Sequence, residues 1–243
     1  MTLDPIPLRS VSMLECRSCG AGAPVDEHFC PQCDRILALG RYGDYFAFFG
    51  LPRRLVIDPA DLERRFRDLS RKFHPDFFYN APPGERLASL ERSSYLNDAY
   101  RVLRTPVSRI EHLLAVEGLQ PVKFEETAVK VPPALLEEVF ALNEELDEIR
   151  ELRESGADTA KLAARLDSAR KPIELKRDQH EQQLQELSAR FDAQEGAAPA
   201  ASTSAFADRR ATLDALRERL LERGYINNLL AGIEREAASL TET

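Results

Sequence analysis

The sequence predicts an all-α protein: a compact helical unit and a C-terminal three-helix bundle, preceded by a small tetracysteine metal-binding module. Three observations predict it. Apolar residues recur at alternating spacings of three and four through two long stretches, which is the period of a one-sided helix. Charged residues make up 30% and aromatics 7% of the 243 residues, with no Trp, a composition that suits helices better than a β-sandwich. All four cysteines fall between Cys16 and Cys33.

Residues 1–40 form the cysteine module. Cys16-Arg-Ser-Cys19 and Cys30-Pro-Gln-Cys33 are paired C-x-x-C knuckles separated by ten residues. Four thiolates at about 2.3 Å suit tetrahedral zinc, and four closed ligands make such a zinc structural. Each short knuckle can wrap one face of the ion, with Gly20 giving a tight turn after the first. A segment this small has too little core to fold alone, so metal would supply its folding energy. Reduced, unligated thiols and iron, in a rubredoxin-like site or a labile cluster, are the alternatives, since thiolates do not choose the metal by themselves. His28 lies between the knuckles and is not read as a ligand.

Residues 41–119 form the helical unit. Asp58 can cap a helix that starts at Pro59, where the missing N–H costs little. Leu62, Phe66, Leu69 and Phe73 make its apolar stripe, and Arg64, Arg65, Arg67, Arg71 and Lys72 its basic side. Pro75 disfavours helical geometry at His74, so the helix stops there. A second helix is expected over about Glu85 to Leu103, with Leu96, Ala99, Tyr100 and Leu103 turned inward and Thr105-Pro106 ending it. The two run antiparallel, joined by the loop His74–Gly84.

Residues 120–133, with Pro121, Pro132 and Pro133, read as a linker. The bundle follows over 134–243. Leu135, Val139, Leu142, Leu146 and Ile149 alternate four and three, a heptad-like seam, and Leu162, Leu166 and Ala169 continue it. Pro172 is expected to break or kink that helix, or to start another that runs to about Phe191. Ala193 to Ala205 reads as a flexible loop. A last helix from about Asp208 carries Leu213, Leu216, Leu220, Leu230 and Ile233. Off the seam of the first bundle helix, Leu136 and Phe140 are apolar and one turn apart, with Glu137, Glu144 and Glu148 on or beside that side. An apolar stripe edged by acids is how a docking face looks; a wider core face is the competing reading.

His74-Pro75-Asp76, set between a basic-faced helix and a second amphipathic one, resembles the signature of the J-domain family. The match runs from Tyr42 to about Gly118. It rests on Asp44-Tyr45-Phe46, Phe49-Gly50-Leu51-Pro52, Phe73-His74-Pro75-Asp76, Leu96-Asn97-Asp98-Ala99-Tyr100, Leu103 and Pro106. More narrowly it is similar to the HscB co-chaperones of iron–sulfur cluster assembly, with Glu144-Glu145-Leu146-Asp147-Glu148-Ile149 extending the likeness into the bundle. Eukaryotic members carry a similar tetracysteine module, which many bacterial members lack.

The resemblance implies a protein that is not an enzyme and binds no nucleotide itself. His74, Pro75 and Asp76 would contact a heat-shock-class chaperone ATPase (HscA/DnaK type) and stimulate its hydrolysis. Arg64, Arg67, Arg71 and Lys72 would meet an acidic partner surface and speed encounter. The bundle would bind an iron–sulfur scaffold protein (IscU type) through Leu136, Glu137, Phe140, Glu144, Glu148 and Tyr225. Two departures stand out. Phe77 occupies a place where many J-domains have Lys. Some relatives have an apolar residue where Glu137 stands and a basic one where Asn143 stands. A general J-domain co-chaperone for unfolded clients would share the bend but not the acidic-apolar face.

The bulk numbers narrow the remaining classes. A formal net charge of -8 and few basic residues around the knuckles oppose a nucleic-acid binder. There are four histidines, no nucleophile elbow and no phosphate-cradling glycine loop, so no catalytic constellation is found. No apolar run approaches the roughly 18 residues a membrane span needs. The first fifteen residues, with Arg9, Asp4 and Glu15, form neither a secretion signal nor an Arg-rich transit peptide. A cytoplasmic protein is expected, a mature mitochondrial form being the lesser alternative.

Overall fold

The computed structural model describes residues 13–40, 43–119, 135–196 and 203–241. The expected linker at 120–133 and Tyr42 lie outside the described residues. The chain divides into two compact units, Met1–Glu117 and Gly118–Thr243. As the sequence predicts, the architecture is all-α apart from the cysteine module, whose two short strands β1 (Met13–Glu15) and β2 (Gly22–Pro24) pair antiparallel with Leu14 opposite Ala23.

In the first unit the helices are α1 (Tyr45–Phe48), α2 (Pro59–Phe73), α3 (Pro83–Arg104) and α4 (Pro106–Val116). Asp58 caps α2 as expected, its side chain accepting from the Ala60 N–H, with Pro59 in the first turn. The stripe of α2 faces α3. Leu62 and Phe73 are buried, and Phe66 stacks on Tyr100 with centroids 4.2 Å apart. On α3 the expected inward residues Leu96, Ala99 and Leu103 are buried, joined by Phe46, Phe48, Leu55, Ile110, Leu113 and Leu114.

Polar groups fasten the corners. Asp44 caps α1 through the Ala47 N–H (3.1 Å) and accepts from Arg53 (2.8 Å), whose other arm reaches Glu117 (3.1 Å). Arg109 of α4 is buried, and its guanidinium donates to the carbonyls of Leu55, Leu103 and Arg104. It thereby satisfies the carbonyls that the Thr105-Pro106 break leaves without helical partners.

The second unit is a bundle of α5 (Leu136–Glu154), α6 (Thr159–Gly196) and α7 (Thr203–Thr241). The heptad-like seam forms its core. Leu135, Leu142, Leu146 and Ile149 pack with Leu162, Leu166 and Ile173 and with Ile226, Leu230 and Ile233. Helix α6 continues through Pro172 rather than breaking or restarting there. Pro removes one backbone hydrogen bond, and the flanking Ile173 and Ala169 pack into the core on either side of it. The expected loop Ala193–Ala205 is shortened from both ends, since 193–196 belong to α6 and 203–205 to α7; residues 197–202 lie outside the described ones.

Candidate functional site

The His-Pro-Asp bend is built on a buried residue. Phe73, the last residue of α2, is fully enclosed. Its carbonyl, orphaned by the helix end, accepts from two α3 hydroxyls, Ser89 (2.6 Å) and Ser93 (2.9 Å). His74 then leaves helical geometry (φ −57°, ψ 126°), as Pro75 requires. Pro75–Phe78 form a single 3-10 turn. The His74 imidazole caps it, Nδ1 accepting from the Asp76 N–H at 3.3 Å, and Phe77 N–H returns to the His74 carbonyl at 3.0 Å. His74 and Asp76 are both exposed. The bend thus presents an imidazole edge and a carboxylate to solvent from a rigid base. Phe77 is 75% exposed and lies edge-on to His74 at 6.1 Å.

The basic side of α2 is less positive than its Arg count implies. Arg64 pairs with Asp61, Arg67 with Glu63 and Arg71 with Asp68, all within α2. Arg65 turns inward, donating to the carbonyls of Phe49 (3.1 Å) and Gly50 (3.3 Å) and to Asp61 (2.9 Å). These i,i+3 and i,i+4 pairs were legible in the sequence, because Asp61, Glu63 and Asp68 sit at helical spacing from the arginines. Exposed pairs of this kind are weak, about 0.3–0.5 kcal/mol each, so a partner carboxylate can displace them. Lys72 is exposed at the end of the same helix, beside the bend.

The four cysteines converge. Cys16 Sγ lies 3.7 Å from Cys33 Sγ, and Cys19 Sγ 3.7 Å from Cys30 Sγ; all four lie within 4.8 Å of one another. A disulfide needs sulfurs about 2.05 Å apart. Four thiolates around zinc at about 2.3 Å would be about 3.8 Å apart along a tetrahedral edge, so the cluster fits a metal. The knuckles are built alike. Cys16 N–H bonds the Ala21 carbonyl (2.8 Å) and Cys30 N–H the Arg35 carbonyl (2.9 Å). The residue after each second cysteine has positive φ, Gly20 at 73° and Asp34 at 56°.

Charge in the cluster is unevenly held. Backbone N–H groups of Ser18 and Cys19 favour the Cys16 thiolate and bring it down to about 7. At Cys33 the Arg35 N–H favours the thiolate too, yet burial and the three neighbouring thiols outweigh it and push the group up to about 12. A divalent cation is what lets four such groups ionise together. His28 is not a ligand, in keeping with the sequence reading. Its Nε2 donates to the Phe48 carbonyl (3.0 Å) and its Nδ1 accepts from Arg92 (2.7 Å). Burial, with Arg92 beside it, holds the imidazole neutral, down to about 4.

On the bundle, Leu136 is 42% and Phe140 61% exposed, against a fully buried Leu135 and a buried Leu142. Glu137 and Glu144 are exposed. Glu148 is exposed as well, but one of its oxygens is taken by Arg165 of α6 (2.7 Å), which also grips Glu145 (2.7 Å). Helices α5 and α7 run parallel with an offset of 86 residues, read from Arg150–Glu236 and Arg153–Ser239. This offset sets Tyr225 level with Val139, one position from Phe140. Tyr225 is half-buried and packs against the bundle core.

No protein-family model matches the chain. Among solved structures it is similar to human co-chaperone protein HscB, with a TM-score of 0.64 and 25% identity over 92% of this chain and 98% of that one. In fold it is also similar to chaperone HscB from Vibrio cholerae, with a TM-score of 0.51 and 24% identity over 81% of this chain and 99% of that one. The structural neighbours are therefore HscB co-chaperones, as the sequence motifs led one to expect. Among the described residues no helix is long and apolar enough to cross a membrane.

Proposed function

We propose that this HscB-like chain is a cytoplasmic co-chaperone that stimulates a heat-shock-class chaperone ATPase of the HscA/DnaK type and delivers to it an iron–sulfur scaffold protein of the IscU type. The observation that carries the proposal is the bend itself: an exposed His74 and Asp76 held on an enclosed Phe73. A connector has no need of so rigid a base. A docking key does, because binding then costs little ordering of the loop.

In this reading residues 41–119 are the J-domain, 134–243 the scaffold-binding bundle, and 1–40 the metal module. Asp76 accepts a charge-assisted hydrogen bond from a basic group of the ATPase. Arg64, Arg67, Arg71 and Lys72 face its acidic surface, exchanging their intrahelical partners for intermolecular ones. Leu136 and Phe140 insert into an apolar recess of the scaffold, with Glu137, Glu144, Glu148 and Tyr225 around them. Carrying both contacts on one chain raises the concentration of scaffold at the chaperone. The chain's own residues bind and orient; the hydrolysis is the partner's. Zinc on Cys16, Cys19, Cys30 and Cys33 would neutralise the thiolates and fix the fold of the module.

The test is steady-state ATPase turnover of the chaperones from the same cell, with and without the purified chain and with a folded scaffold added. The proposal expects stimulation by the chain and further stimulation by scaffold and chain together. Unchanged turnover of every such chaperone defeats it. Stimulation that responds to unfolded polypeptide but not to scaffold would point to a general co-chaperone instead.

A further inference from the structure

Arg92 sits in the middle of α3, where a helix-to-helix contact would ordinarily carry an aliphatic side chain, yet it is 1% exposed. Its guanidinium is spent on the cysteine module. Nε donates to the Leu37 carbonyl (2.8 Å), Nη2 to those of Glu27 (3.1 Å) and Ala38 (3.0 Å), and Nη1 to His28 Nδ1 (2.7 Å). These acceptors lie just before Cys30 and just after Cys33. They are the two ends of the loop that the second knuckle closes, bridged by Leu37 N–H to the His28 carbonyl at 3.0 Å.

The same contact reaches the bend. The Phe73 ring meets His28 edge-on at 5.0 Å and stacks on Phe29 at 6.0 Å, and the Arg92 guanidinium lies 5.7 Å from its centroid. Residues 28 and 29 of the module thus form part of the wall around the residue that precedes His74. Among the described residues the cluster at the heart of the module is small, Cys16, Ala23, Cys30 and Leu37 with Ala21 and Cys33 beside them, too little to hold that loop without metal. If the loop opens, a buried cation loses its acceptors and Phe73 loses its cover. A buried cation cannot stay unpaired, so the surrounding packing must rearrange.

We propose that the metal-loaded cysteine module holds the His74-Pro75-Asp76 bend in its partner-binding shape, and that Arg92 is the positioning residue through which it does so. This deepens the function proposed above and, for its ATPase readout, rests on it. Metal loss lowers the fraction of molecules with a competent bend. The apparent affinity for the chaperone falls by that fraction, while the rate at saturation is kept. The bundle, a separate compact unit, keeps its scaffold affinity.

The experiment compares the full chain loaded with zinc, stripped by chelator under reducing conditions, and reloaded. Each form is measured by amide hydrogen exchange and by ATPase stimulation against chain concentration. Stripping is expected to speed exchange across residues 70–76 and 88–93 by at least about tenfold, with residues 135–196 and 203–241 unchanged. It should raise the half-saturating concentration by at least about tenfold at an unaltered maximum, and zinc should reverse both.

In Arg92→Met the half-saturating concentration should already be raised, and stripping should add little, because two changes acting through one contact are not additive. Should that variant not fold, His28→Phe replaces it. Equal exchange with and without zinc overturns the proposal, as does a stripping effect of the same size in variant and wild type. A zinc-loaded chain that stimulates no chaperone defeats the functional reading instead, and exchange alone then decides whether module and bend are coupled.

Discussion

Replacing Leu136 and Phe140 together by Ala separates a docking face from a core face by magnitude. Fully burying such a side chain stabilises by about 1.5–3 kcal/mol. Phe140 is 61% and Leu136 42% exposed, so covering what remains offers about 1.5–3 kcal/mol between them. Immobilising the two side chains returns about 1 kcal/mol of that. The double variant should therefore bind scaffold about 2- to 30-fold more weakly, each 1.4 kcal/mol being about a factor of ten. Its folding should fall by no more than about 1 kcal/mol, since much of the residual burial is against the helix itself and Ala is the better helix former.

Leu142→Ala is the control. That side chain is buried in the bundle core, and its removal should cost about 2–5 kcal/mol of stability with scaffold affinity unchanged as long as the bundle stays folded. Calorimetric titration against the scaffold, paired with denaturant unfolding of both variants, gives the comparison. A double variant that loses as much stability as Leu142→Ala, or that binds scaffold as tightly as wild type, would refute the reasoning.

Three further outcomes follow from the geometry. His74→Gln should reduce ATPase stimulation to the basal rate yet shift stability by no more than about 1 kcal/mol, the exposed side chain giving up a single capping hydrogen bond from the Asp76 N–H; retained stimulation would remove His74 from the contact. Gly20→Ala forces a Cβ onto φ 73° and should weaken zinc binding by about tenfold, a strain of about 1–2 kcal/mol, whereas Asp34→Gly at φ 56° should leave it equal or tighter; competition titration with a zinc indicator reads both, and a loss in Asp34→Gly would contradict the argument. His112 is held below its ordinary value of 6.5, chiefly by burial, with Asp44 and Arg53 opposing one another beside it, and its Nε2 accepts the Tyr45 N–H at 3.0 Å. The native state then binds fewer protons than the unfolded one just below pH 6.5, so first-unit stability is full above that pH and declines as the pH falls through it. His112→Gln should flatten the decline of urea midpoints between pH 7.5 and 5.5, leaving the part owed to His28; an unchanged slope would exclude His112 as a source.

Periodicity and punctuation made much of the fold legible. Asp58-Pro59 marked the start of α2 and His74-Pro75 its end because capping and proline chemistry act within a few residues. Leu142, Leu146 and Ile149 were visible as core because a seam repeats. Other features had no local signature. Arg92 and Arg109 look like surface arginines on their helices, and the carbonyls that hold them lie up to 65 residues away. Pro172 did not end its helix, where Ile173 and Ala169 pack with the bundle core on either side of it. At the candidate site, the bend and the cysteines were readable as motifs. The capture of Glu148 by Arg165, which lies on another helix, has no such local signature.

The unequal lengths of the bundle helices have a mechanical consequence. Near its start α5 is tied to α6 by Glu138–Lys176. Beyond that tie, the interhelical polar contacts found for α6 among the described residues are with α7, at His180–Glu222, Glu181–Arg223, Gln183–Arg219 and Glu195–Arg209. A stretch of two helices closes one layer at a time, so its far end can unzip without melting the three-helix end. Protease nicks and fast-exchanging amides should therefore collect toward residues 190–196 and 204–210 and thin out toward Tyr225. The chain would carry a yielding end and a firm end on the same pair of helices.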